Sequence, residues 1–380
     1  MEHSVSQRSG GENACVRVRV ATNAQEFRYL RESWDTVVDD CDYAPLHVTS
    51  SWIAHWWDCF GDNAEMLTVL LEDDAGPFGV APLLRTRMRI GPLPIDALRL
   101  IGNDVSARSE IIFNRRRTAA WQALHQFLEP FSWQFFDYGW GRADTAERHA
   151  FSGGVWPGTV HLRQSLELPL VSLTSSWEDW SAQKSRTFRK TLRKAEEKCA
   201  DLRVLRFPDD FVDIDLLFSL LEAVATDSWS YAAGTSIVSA TAPRAFFEGL
   251  LRDYHARGAA FASLLLDGET PLAFAFGLAF RDCIYGLKTS YRVSSPDRSL
   301  GTRVMADFVA SCMRDRGHST LDMDCITQHS EYKRRWANEL VSLVDQRVFR
   351  HRPLSRLLSA VYARKRSAPL ARPATTAHDA

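Results

Sequence analysis

The chain has 380 residues, which is long for one hydrophobic core and favours two domains. Hydrophobic residues make up 45% of it and charged residues 24%, a balance typical of folded globular proteins. The formal net charge of -1 gives no electrostatic reason to expect DNA as a partner.

The sequence indicates neither a membrane-spanning segment nor a secretory signal. The longest apolar run, 271–280, is roughly half as long as a spanning helix must be. The first 14 residues are polar and lack the apolar stretch of a signal peptide. Seven widely spaced cysteines form no Cys-x-x-Cys pair, so we expect reduced thiols and no metal site. We therefore expect a cytoplasmic protein without a transmembrane segment.

The two ends of the chain have the composition of tails. Residues 1–14 are predicted to be disordered, and residues 351–380 are predicted to form a basic and largely disordered tail. The basic tail is either solvated or in contact with an anionic membrane surface. Glycine and proline near residues 152–158 predict a join between an N-terminal domain (15–165) and a C-terminal domain (166–350).

One order of elements is predicted twice along the chain. Apolar spacing and turn signals give the first half a helix, two strands, a helix and a strand, at 46–60, 66–72, 78–85, 118–129 and 133–138. The second half repeats the order with one more strand, at 242–256, 260–266, 272–280, 283–290, 301–316 and 320–324. This repetition predicts a duplicated α+β fold, each copy a mostly antiparallel sheet flanked by helices.

The segment 287–305 is the strongest candidate for a ligand site. A strand, a loop and a helix follow one another there, and the free N–H groups at a helix N-terminus bind phosphate or pyrophosphate. The predicted donor-binding residues are Ser295, Arg298, Ser299, Leu300, Gly301 and Thr302. An ordinary turn capped by Ser299 is the alternative.

An acidic segment follows this helix. Asp322 and Asp324 alternate along a strand and should face the same way. Asp324 or Glu331 is a candidate general base, and Tyr332 a candidate proton donor for a leaving thiolate. The alternative is a structural ion-pair cluster in which Lys333 or Arg334 balances the carboxylates.

Further candidates could contact a substrate. The basic helix at 184–198 carries Arg186, Arg189 and Lys190, which suit an anionic group, although a solvated helix face explains them equally well. Trp229 is a candidate pocket wall, with core packing as the alternative. We predict substrate contacts from these four residues, from Tyr285 and from Lys333.

Several segments together resemble the CelD/BcsL-type acyltransferases of the GNAT superfamily, over roughly residues 45–345. They are Trp52-Ile-Ala-His-Trp-Trp, Val80-Ala-Pro-Leu-Leu, Phe188-Arg-Lys-Thr-Leu-Arg-Lys, Asp227-Ser-Trp, Ser295-Pro-Asp-Arg-Ser-Leu-Gly and Glu331-Tyr-Lys-Arg-Arg-Trp.

The resemblance implies two tandem GNAT folds, an acyl-CoA donor and a link to polysaccharide or exopolysaccharide production. It places the CoA pyrophosphate at loop 295–301 and implies that the strand at 284–289 splays from its neighbour to admit the pantetheine. Of the glycines in the usual GNAT phosphate motif, only Gly301 has a counterpart here, and Asp297 stands where relatives commonly have glycine.

Three functional hypotheses follow. The first is an N- or O-acyltransferase, an N-acetyltransferase above all, that acts on a small-molecule or saccharide acceptor. The second is a FemAB-type enzyme that transfers an aminoacyl group from tRNA. The third is a non-catalytic subunit that keeps the fold, motivated by Asp297 and the missing glycines.

Overall fold

The computed structural model describes residues 2–5, 15–90, 93–102, 108–295, 298–315, 317–324 and 331–367. Its helices are α1 (Ala24–Asp40), α2 (Ser50–Phe60), α3 (Arg117–Leu128), α4 (Ala146–Ser152), α5 (Trp177–Ala182), α6 (Arg186–Lys198), α7 (Ile214–Ala225), α8 (Trp229–Ala232), α9 (Thr241–His255), α10 (Leu300–Arg314), α11 (Glu331–Arg334) and α12 (Pro353–Ser367).

Strands make up most of the remaining regular structure. They are β1 (Glu2–Val5), β2 (Val16–Ala21), β3 (Ala64–Asp73), β4 (Gly76–Ile90), β5 (Leu93–Leu100), β6 (Ile112–Phe113), β7 (Phe135–Arg142), β8 (Thr159–Ser172), β9 (Arg203–Phe207), β10 (Ala260–Asp267), β11 (Thr270–Phe280), β12 (Cys283–Tyr291), β13 (Thr320–Asp322) and β14 (Glu339–Phe349).

The described strands form one continuous mixed sheet. Its order is β1-β2-β3-β4-β5-β7-β14-β8-β13-β12-β11-β10-β9, and β6 pairs with β4 off this path. The order is nearly symmetric about its centre. In the first half β5 runs parallel to β7, and in the second half β12 runs parallel to β13. The other pairs in the sheet are antiparallel, so the predicted α+β fold with two repeated, mostly antiparallel halves is confirmed.

The two halves exchange their last strands. Strand β14, from the end of the C-terminal half, pairs antiparallel with β7 of the N-terminal half. Strand β8, from the end of the N-terminal half, pairs with β13 of the C-terminal half. The two exchanged strands also pair with each other along their lengths. Each half therefore completes its sheet with a strand from the other.

A shared core joins the helices of the two halves. Trp52 of α2 packs edge-on against Phe246 of α9 with ring centroids 5.1 Å apart, and both are buried. Polar contacts border this core: Ser51 donates to Asp253 at 2.6 Å, and the hydroxyls of Thr49 and Tyr254 lie 3.1 Å apart. This apolar surface between the halves contributes stability in proportion to its buried area.

Three predicted boundaries differ from the structure. Residues 2–5 form β1 inside the predicted N-terminal tail, because their backbone pairs with β2. The predicted domain join at 165/166 lies within β8, because that strand crosses into the second half of the sheet. The predicted C-terminal tail begins with α12, whose Leu358 is buried against the sheet. Among the described residues, no helix is both long and apolar enough to cross a membrane.

Candidate active site

A cleft of about 780 Å³ opens on the C-terminal half, where β12 ends and α10 begins. Its volume is in the range of small-molecule sites. The cleft is lined by Trp229, Thr289, Tyr291, Ser295, Arg298, Ser299, Leu300, Gly301, Thr302, Tyr332 and Lys333. All six predicted donor-binding residues are in this lining.

The described pairing between β12 and β13 ends beside the cleft. Among the described residues β12 pairs with β13 from Cys283 to Tyr285, and β12 continues to Tyr291. The register between β12 and β11 also shifts, since Gly277 is opposite Gly286 and Phe276 is opposite Lys288. A shift of this kind is a β-bulge, which bends a strand and redirects its side chains. The later part of β12 thus extends beyond the end of β13, and the splay that the resemblance implied for the strand at 284–289 stays a prediction.

The first turn of α10 lines the cleft with Leu300, Gly301 and Thr302. Ser299 precedes the helix in the left-handed conformation (φ 57°), and its side chain makes no capping hydrogen bond. Ser299 therefore occupies the N-cap position, as the alternative expected, but its side chain does not cap the helix. A Cβ atom added to Gly301 would lie 3.1 Å from the Tyr291 ring, so the glycine permits close packing of strand and helix.

The positive charge of Arg298 is directed away from the helix N-terminus. Its guanidinium donates to the carboxylate of Asp201, and it lies 3.9 Å from Asp267. The carbonyl of Arg298 accepts a hydrogen bond from the Cys199 thiol at 3.1 Å. The arginine thus fixes the loop to the segment after α6, and its charge is largely balanced by these acids.

Tyr332 and Lys333 close the cleft from α11. The hydroxyl of Tyr332 donates to the carbonyl of Gly301 at 3.2 Å, which ties α11 to the start of α10. Although 39% of the residue is exposed, burial of the hydroxyl raises the pKa of Tyr332 above its ordinary value. The phenol therefore stays protonated at neutral pH. The Lys333 ammonium donates to the carbonyls of Met323, at 2.7 Å, and Asp324.

Asp322 and Asp324 are paired with an arginine from the other half of the chain. The two terminal guanidinium nitrogens of Arg108 donate to Asp322, and Nη2 also lies 3.4 Å from Asp324. The predicted carboxylate partners were Lys333 and Arg334. They are wrong as ion-pair partners, because Lys333 binds the backbone carbonyls and Arg334 contacts Glu167. Asp324 has a left-handed backbone (φ 44°), and among the described residues its side chain is not part of the cleft lining.

Glu331 begins α11, beside Tyr332. Its side chain lies outside what the structure describes, as do Pro296, Asp297 and residues 325–330. The prediction of Glu331 as a general base therefore stays a prediction.

The basic residues of α6 are not brought to the cleft. Arg186, Arg189 and Lys190 are exposed, and Arg189 donates to the carbonyl of Ala182 at 2.9 Å. Arg189 lines a separate groove of about 330 Å³ between α6 and α10. The side of α6 that packs is apolar, with Phe188 buried. A solvated helix face, the alternative for this helix, agrees with the exposure of the three residues.

The two predicted aromatic substrate contacts have different environments. Trp229 lines the cleft and is 55% exposed. Tyr285 is buried outside the cleft lining, with its ring centroid 5.6 Å from His47 and 5.9 Å from the Arg108 guanidinium. It is wrong as a cleft residue, because in the described structure its part of β12 is still paired with β13.

Four residues of this region were missed by sequence reasoning. Thr289 and Tyr291 alternate along β12 into the cleft, a period-two pattern that could have identified them. Lys288 immediately precedes Thr289 on the same strand, and its ammonium is 5.5 Å from the Phe247 ring centroid. Burial lowers the pKa of Lys288. Arg108 could not be identified from its neighbouring sequence, because its partners are more than 200 positions away in the chain.

The N-terminal half repeats the local geometry of this site. Arg116 precedes α3 in the left-handed conformation (φ 50°) and without a side-chain cap, as Ser299 precedes α10. Asp73, at the end of β3, accepts hydrogen bonds from Arg115 and Arg116 at 2.7 and 3.0 Å. Asp267, at the end of β10, has the corresponding place beside Arg298. The duplication therefore extends to the loop that precedes the helix.

Comparison with known proteins agrees with this geometry. Residues 184–334 match the family model of the acetyltransferase (GNAT) domain. A crystal structure of FemX is 13% identical and covers 86% of this chain and 98% of its own, with a TM-score of 0.59. A conserved protein from Bacteroides thetaiotaomicron is 10% identical and covers 87% and 100%, with a TM-score of 0.52.

A third structure is the C-terminal domain of a putative lysylphosphatidylglycerol synthetase from Agrobacterium fabrum. It is 11% identical and covers 89% of this chain and 96% of its own, with a TM-score of 0.50. At these identities the likeness concerns the fold alone. No curated protein matches the sequence significantly. Together, the domain match and the duplicated fold agree with two tandem GNAT-like halves, the second of which contains the segment that is similar to the acetyltransferase (GNAT) domain.

Proposed function

We propose that the C-terminal half binds an acyl-CoA in the 780 Å³ cleft and transfers the acyl group to an amine or a hydroxyl. This proposal rests mainly on one observation: all six predicted donor-binding residues line the cleft, at a helix N-terminus beside the part of β12 that extends beyond β13. Backbone N–H groups in the first turn of a helix lack intrahelical partners, so the start of α10 suits a pyrophosphate. The proposal includes three more specific points: the donor is acetyl-CoA, the acceptor is a saccharide, and the chain belongs to the CelD/BcsL-type acyltransferases.

The proposed reaction gives Tyr332 and Asp324 distinct roles. The acceptor nucleophile attacks the thioester carbonyl, a C–N or C–O bond forms, and the C–S bond breaks. Tyr332, which lines the cleft and stays protonated at neutral pH, gives its proton to the leaving thiolate. Asp324 takes the acceptor proton through a water molecule, because its carboxylate is set back from the lining.

Donor binding is tested by the melting temperature of the protein with CoA, acetyl-CoA and longer acyl-CoAs. A ligand at a hundred times its Kd stabilises the folded state by about 2.7 kcal/mol, which shifts the melting temperature by a few degrees. Thr302→Glu should abolish the shift, since its carboxylate would repel the pyrophosphate while favouring the helix N-terminus.

Thr241→Glu is the matched control, because it adds an acid to the first turn of α9, outside the cleft. Its shift should equal that of the unmodified protein. No shift with any acyl-CoA would contradict the proposal and favour a tRNA-dependent or non-catalytic protein. Equal loss in both variants would show that the shift does not report binding at α10.

A further inference from the structure

The C-terminal helix α12 is anchored to the sheet by one face. Leu354, Leu358 and Tyr362 pack with Phe135 and Phe349, and Leu358 is 6% exposed. The hydroxyl of Ser359 lies 2.7 Å from a ring nitrogen of His161 on β8. The orientation of the helix is therefore fixed by buried contacts.

The opposite face of α12 exposes apolar side chains. Leu357 is 58% exposed and Val361 is 38% exposed, and Ala360 between them is exposed as well. Residues four apart lie on the same side of a helix, so these side chains form one apolar strip. The described protein offers nothing that covers the strip.

Unpaired positive charges border the strip. Arg356 and Arg364 are exposed, and among the described residues neither forms an ion pair with a carboxylate. Arg244 of α9 differs from them, because it forms ion pairs with Glu222 and Glu248. The sequence of α12 contains no acidic residue. Since the net charge of the whole chain is -1, the basic character of α12 is a local property of this helix.

We propose that the outward face of α12 docks on an anionic membrane surface. Arginines beside an apolar strip match the two layers of such a surface, lipid phosphates for the guanidinium groups and the acyl boundary for Leu357 and Val361. A nucleic acid would contact only the charged guanidinium groups and would give the apolar strip no role. The proposal is independent of the acyl transfer proposed above.

Flotation of the full-length protein with lipid vesicles tests this proposal. One set of vesicles is pure phosphatidylcholine, and the other contains about one-third phosphatidylglycerol. We expect binding to the anionic vesicles only, weakened by salt. Arg356→Gln with Arg364→Gln should lower the partition coefficient by about fivefold per charge. Leu357→Gln with Val361→Gln should lower it by at least about tenfold.

Val212 and Leu216 provide a matched control pair. They are also exposed, at 66% and 45%, but Asp213 and Asp215 stand beside them in the sequence. Their replacement by Gln should leave vesicle binding unchanged. Because all substituted side chains are exposed, each variant should keep its melting temperature. The proposal is overturned by equal binding to both kinds of vesicle, by no binding to either, or by equal loss in the control variant.

Discussion

Arg108 and Asp322 form a buried ion pair that joins the two halves of the chain, and their side chains are 2% and 4% exposed. The arginine comes from the segment before β6, and the aspartate is the last residue of β13, opposite Tyr285 of β12. Asp324 lies at 3.4 Å from the same guanidinium. The integrity of the cleft-bearing half therefore depends on a residue of the other half.

Arg108→Met should destabilise the protein by about 3–5 kcal/mol, because it leaves buried carboxylates without their charge partner. Urea unfolding measures the loss. Arg17→Met is the control, since the Arg17–Asp74 pair is exposed at 47% and 74% and should contribute about 1 kcal/mol or less. Adding Asp322→Leu to the Arg108 variant should recover part of the stability. Similar losses in the two single variants would contradict a buried ion pair.

Asp324→Asn should lower kcat by about 10²-fold or more if Asp324 accepts the acceptor proton. The fold should persist, because asparagine tolerates the left-handed backbone of this position and Asp322 still pairs with Arg108. Steady-state kinetics and the melting temperature are measured together. An unchanged kcat would remove Asp324 from the mechanism, and a lower melting temperature without a kinetic effect would assign it a structural role.

Tyr332→Phe should lower kcat while the donor Kd changes little, because the substitution removes only the hydroxyl that contacts Gly301. A loss of about 10²-fold is typical for a general acid. Tyr231→Phe is the control, since Tyr231 is 46% exposed and outside the lining of the described cleft. Equal and large changes in Kd and kcat would indicate that the hydroxyl only holds the cleft together.

Lys288→Met should remove part of the pH dependence of stability. Burial lowers the folded-state pKa of Lys288 below 10.5, Asp324 opposes this effect, and Lys333 adds to it. The unfolded chain therefore binds the proton more tightly. The folded state is therefore favoured most above pH 10.5, where Lys288 is neutral in both states. This stabilisation is lost as the pH falls through the folded-state pKa of Lys288.

The unfolding free energy of the unmodified protein should thus rise, relative to that of the Lys288→Met variant, from neutral pH toward pH 10.5. Urea titrations across this range measure the difference. Parallel profiles for the two proteins would show that Lys288 has the same pKa in the folded and unfolded chains.

Local patterns predicted the repeated elements, but not how the halves join. The loop from Ser295 to Thr302 was found because a strand, a turn and a helix follow each other in sequence. The helix α1 was missed although Phe27, Leu30 and Trp34 have helical spacing and are buried. The exchange of β8 and β14 could not be predicted, since the pairing partner of a strand depends on segments far away in the chain.

The environment of Asp324 could not be predicted for the same reason, because its partner is far away in the sequence. The alternation of Asp322 and Asp324 indicated a shared acidic face, and basic residues nearby in sequence were the obvious partners. The actual partner, Arg108, belongs to the other half and is brought close only by the tertiary fold. Cleft residues on one continuous strand–loop–helix segment were predictable, whereas the groups that surround them from elsewhere were not.

The exchanged strands also determine when the protein can finish folding during its synthesis. The N-terminal half emerges from the ribosome first, but the strand that covers the edge of β7 is β14, at residues Glu339–Phe349. Until then β7 presents unpaired backbone groups, which can pair with other chains. Completion of the first half must therefore wait until nearly the whole chain has been translated.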